Sequence, residues 1–209
     1  MQRLKTRAQF QAVLAGATVA RTAHFALHRC ALDSESSAQL FASDDVWLGA
    51  MVTKRWARRA VTRNAIKRQI YSVSALPHAG LPRAAHVVRL KSAFDRKEFV
   101  SASSERLKRA VRAELELLLE RAARLFAALG DETRLAIVRQ LAERGRVCAC
   151  DLGACCAVAQ PTVSHHLKVL RQAGVAHAQR QGQSIYYSLD DEAMDELRRG
   201  IGLRAIGQK

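Results

Sequence analysis

The fifteen residues KRWARRAVTRNAIKR, Lys54 to Arg68, constrain this chain more than any other stretch. They hold Lys54, Arg55, Arg58, Arg59, Arg63, Lys67 and Arg68, and no acid. At about 100° per residue, Val61, Ala65, Ile66, Ile70 and Val73 fall on one half of a helix, while Arg63, Asn64, Lys67 and Arg68 fill the other. The first half can be buried. The second carries two i, i+4 rows of donors, Arg63 with Lys67 and Asn64 with Arg68, and the like charges among them repel unless phosphate lies between them. The competing reading is a basic face that meets only water.

Charge distribution favours the polyanion. Of the 34 Lys and Arg, 21 lie in residues 1–120 against 10 acids, and 13 lie in the remainder against 9, so the excess is concentrated in the first half. A net charge of +15 points to nucleic acid or an anionic membrane surface. No apolar run reaches the roughly 18 residues of a membrane span. The first ten residues lack the apolar core of a signal peptide. The expectation is a cytoplasmic protein with no membrane partner, whose five cysteines are thiols rather than disulfides.

The chain reads as two domains, 1–120 and 121–209. In the first, Thr6 and Gln9 form a capping box, and Phe10, Val13 and Leu14 give a short helix its apolar face before Gly16. From Val19 to Leu32 a period of two predicts a strand exposed on one side, with His24, Ala26 and His28 against Phe25, Leu27 and Arg29. Residues Asp33 to Asp45 read as an acidic, Ser-rich hairpin loop. Val46 to Val52 reads as a central strand buried on both faces. The basic helix follows, then breaks at Pro77, Gly80 and Pro82, a third strand at Ala85 to Lys91, and a closing helix from about Ser104 with Leu107, Val111, Leu115, Leu118 and Leu119 inward. The order predicts an α+β domain built on a split β-α-β unit.

Arg63, Asn64, Lys67 and Arg68, with Lys54 and the Ala60-Val61 pair ahead of them, resemble the Arg-Asn-x-x-Lys-Arg signature of the protein subunit of bacterial ribonuclease P. That family often has a second Arg after the Asn, where this chain has Ala65. The resemblance implies a sheet cleft that receives the 5′ leader of precursor tRNA and a basic helix that meets the ribonuclease P RNA. Phe10, Phe25, Lys54, Arg58, Arg63, Asn64, Lys67 and Arg68 are then candidate RNA contacts. No carboxylate cluster suits Mg²⁺ and no nucleophile stands beside a base, so catalytic residues are expected to be none, and Mg²⁺ to act only through the RNA subunit.

In the second half an apolar stripe runs through Leu125, Phe126 and Leu129 to Gly130, and Leu135, Ile137, Val138 and Leu141 form another. After a cysteine-rich turn, a helix opens at Gln160-Pro161 with Val163, Leu167 and Leu170 inward. Two strand-like segments, Val175 to Gln179 and Ser184 to Leu189, flank a basic turn at Arg180. This is a winged helix-turn-helix pattern, mainly α. Gln160, Thr162, Ser164, His165 and Arg180 are candidate DNA contacts, and His166 a packing residue. LGDETRLAIVRQLAERGRVCACDL, QPTVSHHLKVLRQAGV and RQGQSIYYSL are similar to the ArsR/SmtB family of metal-responsive repressors. The resemblance implies operator DNA as a partner and soft-ion ligation by Cys148 and Cys150, with Cys155 or Cys156 as a further thiolate. Arsenite, antimonite or another thiophilic metal suits such a set. A structural zinc on all four cysteines is the other reading. A homodimer through the stripes at Leu118 to Leu129 and Met194 to Leu197 is expected. A rival reading of the whole chain is a metal-responsive repressor whose first half only adds nucleic-acid affinity.

Overall fold

The computed structural model describes residues 1–33, 35–95, 97–99, 104–156 and 159–190, leaving aside the side chains at 35, 36, 78 and 154–156. The chain forms two compact units, the first comprising Met1–Ala123 and the second beginning at Arg124.

The first unit is α+β. Its elements are β1 (Gln2–Arg3), α1 (Arg7–Ala15), β2 (Ala17–Arg21), β3 (Phe25–Cys30), α2 (Glu35–Leu40), β4 (Val46–Met51), α3 (Ala60–Ser74), a 3-10 turn (Pro77–Ala79), β5 (Ala84–Leu90) and α4 (Glu105–Leu129), whose last turns fall beyond Ala123. The sheet order is β1-β4-β5-β3-β2. The capping box is present: the Thr6 hydroxyl accepts from the Gln9 N–H at 3.2 Å and Gln9 Oε1 accepts from the Thr6 N–H at 3.1 Å. Gln9 Nε2 also donates to the Leu40 carbonyl, tying α1 to the end of α2.

Four expectations are corrected here. The segment from Val19 to Leu32 is a hairpin, β2 with β3, turning at 22–24. Its second strand is buried on both faces: Phe25, Ala26, Leu27 and His28 are all inside, because one set of alternate residues meets α1 and its neighbours while the other meets the rest of the core. The supposed loop at 33–45 contains α2, with Phe41 buried and the Ser37 hydroxyl donating to the Ala31 carbonyl. The parallel strands β4 and β5 are hydrogen-bonded to each other directly, with β3 outside the pair, so the β-α-β unit is not split. On α3, Ile66, Ile70 and Val73 are buried as patterned, but Val61 is 57% exposed in the first turn.

One sheet face carries a core of Leu4, Val13, Phe41, Ala85 and Val87, flanked by Phe10, Leu14, Trp47 and Met51. Phe25, Leu27, Leu48, Val88 and Leu90 point the other way and have essentially no exposed surface. Leu107, Val111, Leu115 and Leu118 of α4 are buried too and represent several kcal/mol of apolar burial.

The second unit holds α5 (Glu132–Arg144), β6 (Arg146–Cys148), α6 (Ala149–Cys156), α7 (Gln160–Gln172), β7 (Ala176–Gln181) and β8 (Ser184–Leu189), with a three-stranded sheet ordered β6-β8-β7. Ile137, Val138 and Leu141 of α5 and Val163, Leu167 and Leu170 of α7 are its buried stripes, as their spacing predicts. Asp131 caps α5, its carboxylate accepting from the Arg134 N–H at 2.8 Å; that bond first, opposed by burial, and then the Arg134 and His166 charges hold it below the usual carboxylate range. The Arg134 guanidinium reaches back to the last turn of α4, donating to the Ala128 carbonyl at 2.6 Å and the Ala127 carbonyl at 2.9 Å. Gly182 takes φ +60° in the tight turn between β7 and β8, a conformation favouring glycine.

Candidate nucleic-acid interfaces

The basic stretch divides into a turn and a helix. Trp56 and Ala57 N–H groups donate to the Thr53 carbonyl, so Lys54, Arg55 and Arg58 lie exposed on a turn ahead of α3. Arg55 stacks its guanidinium over the Trp56 ring at 4.6 Å. Arg63 is drawn into the same turn, its Nη1 donating to the carbonyls of Arg58 at 2.6 Å and Ala57 at 3.1 Å. Arg63 therefore shapes the turn as well as adding charge. Asn64, Lys67 and Arg68 remain on the outer face. With Tyr71, Ser72 and Arg3 of β1 they line an open groove of about 430 Å³. Arg3 sits over the Tyr71 ring at 4.2 Å, so a cation remote in sequence joins the helix. Its part was not legible in the motif.

A second cationic surface lies on the sheet. Register places Met51 beside Arg89, Arg89 beside Ala26, and Ala26 beside Arg21 across four strands. This row is next to Gly49, Val87, His28 and Thr18. Phe10 of α1 lies on the sheet over Gly49: a Cβ there would fall 2.6 Å from the Phe10 ring. Half-buried Phe10 thus stands beside a row that carries the exposed side chains of Arg89 and Arg21. His28, within 3.3 Å of the Thr18 hydroxyl, is held down to about pKa 4 by burial and then by Arg89 and Arg21, so it is neutral near pH 7. Neither arginine was singled out from sequence, because only the strand register aligns them.

Phe25 does not fit the expectation of a direct RNA contact. It has no exposed surface, lies on the opposite sheet face, and meets Phe94 at 6.0 Å between centroids. His24 likewise is an anchor: it stacks on Phe94, its Nδ1 is 2.8 Å from a Glu114 carboxylate oxygen, and its backbone N–H donates to the other at 2.6 Å.

In the second unit, Thr162, Ser164 and His165 are exposed along one side of α7. The Ser164 hydroxyl donates to the Gln160 carbonyl at 3.0 Å. The same side continues through Lys168 and Arg171, which with Gln172, Ala176, His177 and Ala178 line a groove of about 420 Å³. Arg180 is exposed near the β7–β8 turn, its Nε donating to the Gly182 carbonyl. Gln160 is exposed, but its amide is aimed at the backbone of Ala149. His166 is mostly buried near Asp131 and Arg134, as expected of a packing residue. Lys168, Arg171 and His177 were missed; the exposed side of α7 could have supplied the first two.

The cysteine turn differs from its expected form. Cys148 ends β6 and Cys150 is the second residue of α6, and a disulfide joins them, where free thiols were expected. The strand-to-helix turn brings the two side chains together, with Cα atoms 5.2 Å apart. Reduction gives the two thiolates a soft ion needs. Cys148, Cys150 and Asp151 place a ligand atom each within 4.8 Å of one another, a donor set that fits a thiophilic ion. The side chains of Cys155 and Cys156 lie outside the described residues, as do Met194 and Leu197. Of the stripe expected to pair in a dimer, Leu118 and Leu119 are already buried, while Leu125, Phe126 and Leu129 are half-buried.

A mixed sheet with two cationic surfaces and a winged helix-turn-helix define a two-domain nucleic-acid-binding protein. The chain belongs to the ribonuclease P protein family, whose pattern, described as "Ribonuclease P", matches residues 1–123, and it also carries a domain of the "Bacterial regulatory protein, arsR family", matched over 131–178. An uncharacterised HTH-type transcriptional regulator of Methanocaldococcus jannaschii is 41% identical over 38% of this chain and 90% of its own length. The arsenical resistance operon repressor of Bacillus subtilis is 39% identical over 38% of this chain and 76% of its own length. The solved Staphylococcus aureus RNase P protein is 21% identical, covering 57% of this chain and 94% of its own, with a TM-score of 0.42. No helix among the described residues is long and apolar enough to cross a membrane.

Proposed function

We propose that the protein is the RNA-binding subunit of ribonuclease P with an appended DNA-binding regulator that responds to soft ions. The observation that carries the first part is the groove at Arg3, Asn64, Lys67 and Arg68, a set of donors that suits the phosphates of the ribonuclease P RNA. The 5′ leader of precursor tRNA occupies the sheet face, where Phe10 offers a stacking surface and Arg21 and Arg89 neutralise phosphate. The protein positions substrate and lowers the Mg²⁺ requirement; the bond is cleaved at the RNA. Lys67→Ala with Arg68→Ala should weaken binding to a bacterial ribonuclease P RNA and lower the slope of log affinity against log salt by about 2. An unchanged slope removes α3 from the interface. Cleavage of precursor tRNA by the protein alone contradicts its subunit role.

The second part rests on the proximity of Cys148, Cys150 and Asp151, whose two sulfurs become ligands once the disulfide is reduced. Thiolates there hold arsenite, antimonite or another thiophilic ion, and the coupling releases operator DNA from a homodimer that pairs through the half-buried Leu125 and Phe126. Cys148→Ser with Cys150→Ser should abolish arsenite-dependent release while DNA binding persists. A double variant that still responds places the ligands elsewhere.

A further inference from the structure

Gln160 opens the recognition helix, yet its side chain turns away from the face that Thr162, Ser164 and His165 present. Its Nε2 donates to the carbonyl oxygen of Ala149 at 3.1 Å. Ala149 is the single residue between Cys148 and Cys150. The residue ahead of α7, Ala159, makes no side-chain capping bond, so the Gln160 amide is a side-chain tether between the first turn of that helix and the cysteine turn. The Gln160 carbonyl in turn accepts the Ser164 hydroxyl. A displacement of Gln160 is thereby passed to a residue on the exposed face.

We propose that Gln160 is the positioning residue through which the state of the cysteine pair reaches the DNA-reading helix. The proposal rests on the soft-ion reading above. In the reduced pair the two sulfurs are not bonded and are free to part, whereas a shared ion about 2.3 Å from each holds them roughly 3 to 4 Å apart. With one residue between the cysteines, that change is absorbed by the backbone torsions of Cys148, Ala149 and Cys150, and it redirects the Ala149 carbonyl. A hydrogen bond at 3.1 Å is lost with a further movement of about half an ångström or a turn of the carbonyl out of line. Loss of the tether frees the first turn of α7, where Thr162 and Ser164 stand.

The test uses the full 209-residue protein, reduced with a phosphine, and a DNA fragment from upstream of its own gene. Anisotropy gives DNA affinity with and without arsenite for the wild type, Gln160→Leu and Gln160→Glu, while thiolate-to-arsenic absorption in the ultraviolet reports ion binding independently. The wild type should lose between about fivefold and 150-fold in affinity on adding arsenite. Both variants should retain the absorption but, lacking the tether, bind DNA without arsenite about as weakly as the arsenite-loaded wild type, with arsenite weakening binding less than about twofold further. Glutamate keeps the shape but, ionised, cannot donate, so it carries the test if leucine disturbs folding. A variant that loses as much as the wild type on adding arsenite overturns the relay alone. So does a variant that keeps the wild type's arsenite-free affinity, or one weakened by the same factor in both states with the arsenite response intact, which would make Gln160 a base contact. A wild type that binds arsenite without releasing DNA overturns the relay and the sensor reading together.

Discussion

Replacing His86 by leucine should remove about half of the acid sensitivity contributed by two buried histidines in the first unit. His86 has no exposed surface; its Nε2 donates to the Pro82 carbonyl at 3.0 Å and its Nδ1 has no partner. Burial, then the Arg29 charge, hold it down to about pKa 4 against the opposing pull of the Pro82 bond. In the unfolded chain the imidazole returns to about 6.5. The unfolded state therefore takes up the extra proton first, and this contribution to stability, intact above about pH 6.5, is lost as pH falls toward 4. At about pH 5 the loss is about 2 kcal/mol, against about 0.2 kcal/mol at pH 7. His28, also at about pKa 4, contributes a similar amount, so the pair costs the wild type about 4 kcal/mol between those pH values. His86→Leu should lose about 2 kcal/mol less than the wild type over the same range, whatever the leucine does to stability at neutral pH. Urea unfolding at both pH values can be followed through Trp47 and Trp56, the chain's two tryptophans, both in the first unit. If the variant loses as much as the wild type, the histidine is not buried in its neutral form and the reasoning fails.

Gly49→Ala drives a methyl into the Phe10 ring and the Leu4 side chain; we expect a loss of about 1–3 kcal/mol in the same urea assay and weaker leader binding measured with truncated precursor tRNA. Arg63→Lys keeps the charge but loses the reach to two carbonyls, so stability should fall by about 1 kcal/mol while the salt slope of RNA binding stays unchanged. Arg134→Ala uncovers the Ala127 and Ala128 carbonyls, and hydrogen exchange in the last turn of α4 should accelerate in line with a loss of about 2–3 kcal/mol.

Local periodicity carried what depends on one helix. Ile66, Ile70 and Val73, and again Val163, Leu167 and Leu170, were placed inside by spacing alone, and all six are buried. Features that depend on distant partners were not legible in the same way. The hydrophilic character of 33–45 concealed α2 because Ser37 satisfies itself on Ala31 and Phe41 is the residue that anchors the segment. Phe25 and His28 looked like opposite faces of a half-exposed strand, and only packing on both sides of the sheet buries them together. Arg21 and Arg89 lie 68 positions apart and align through two strand pairings. Arg63, the first residue of the most informative motif, proved to be partly a shaper of its own turn.

The reach of Arg134 into α4 bears on where the polypeptide can be divided. The arsR-family pattern matches from residue 131, whereas the second compact unit begins at Arg124. A fragment starting at 131 would discard Ala127 and Ala128, the carbonyls on which a mostly buried guanidinium is spent. The end of α4 is thus held by the helix that follows it, and a fragment that keeps this contact includes Arg124–Leu129.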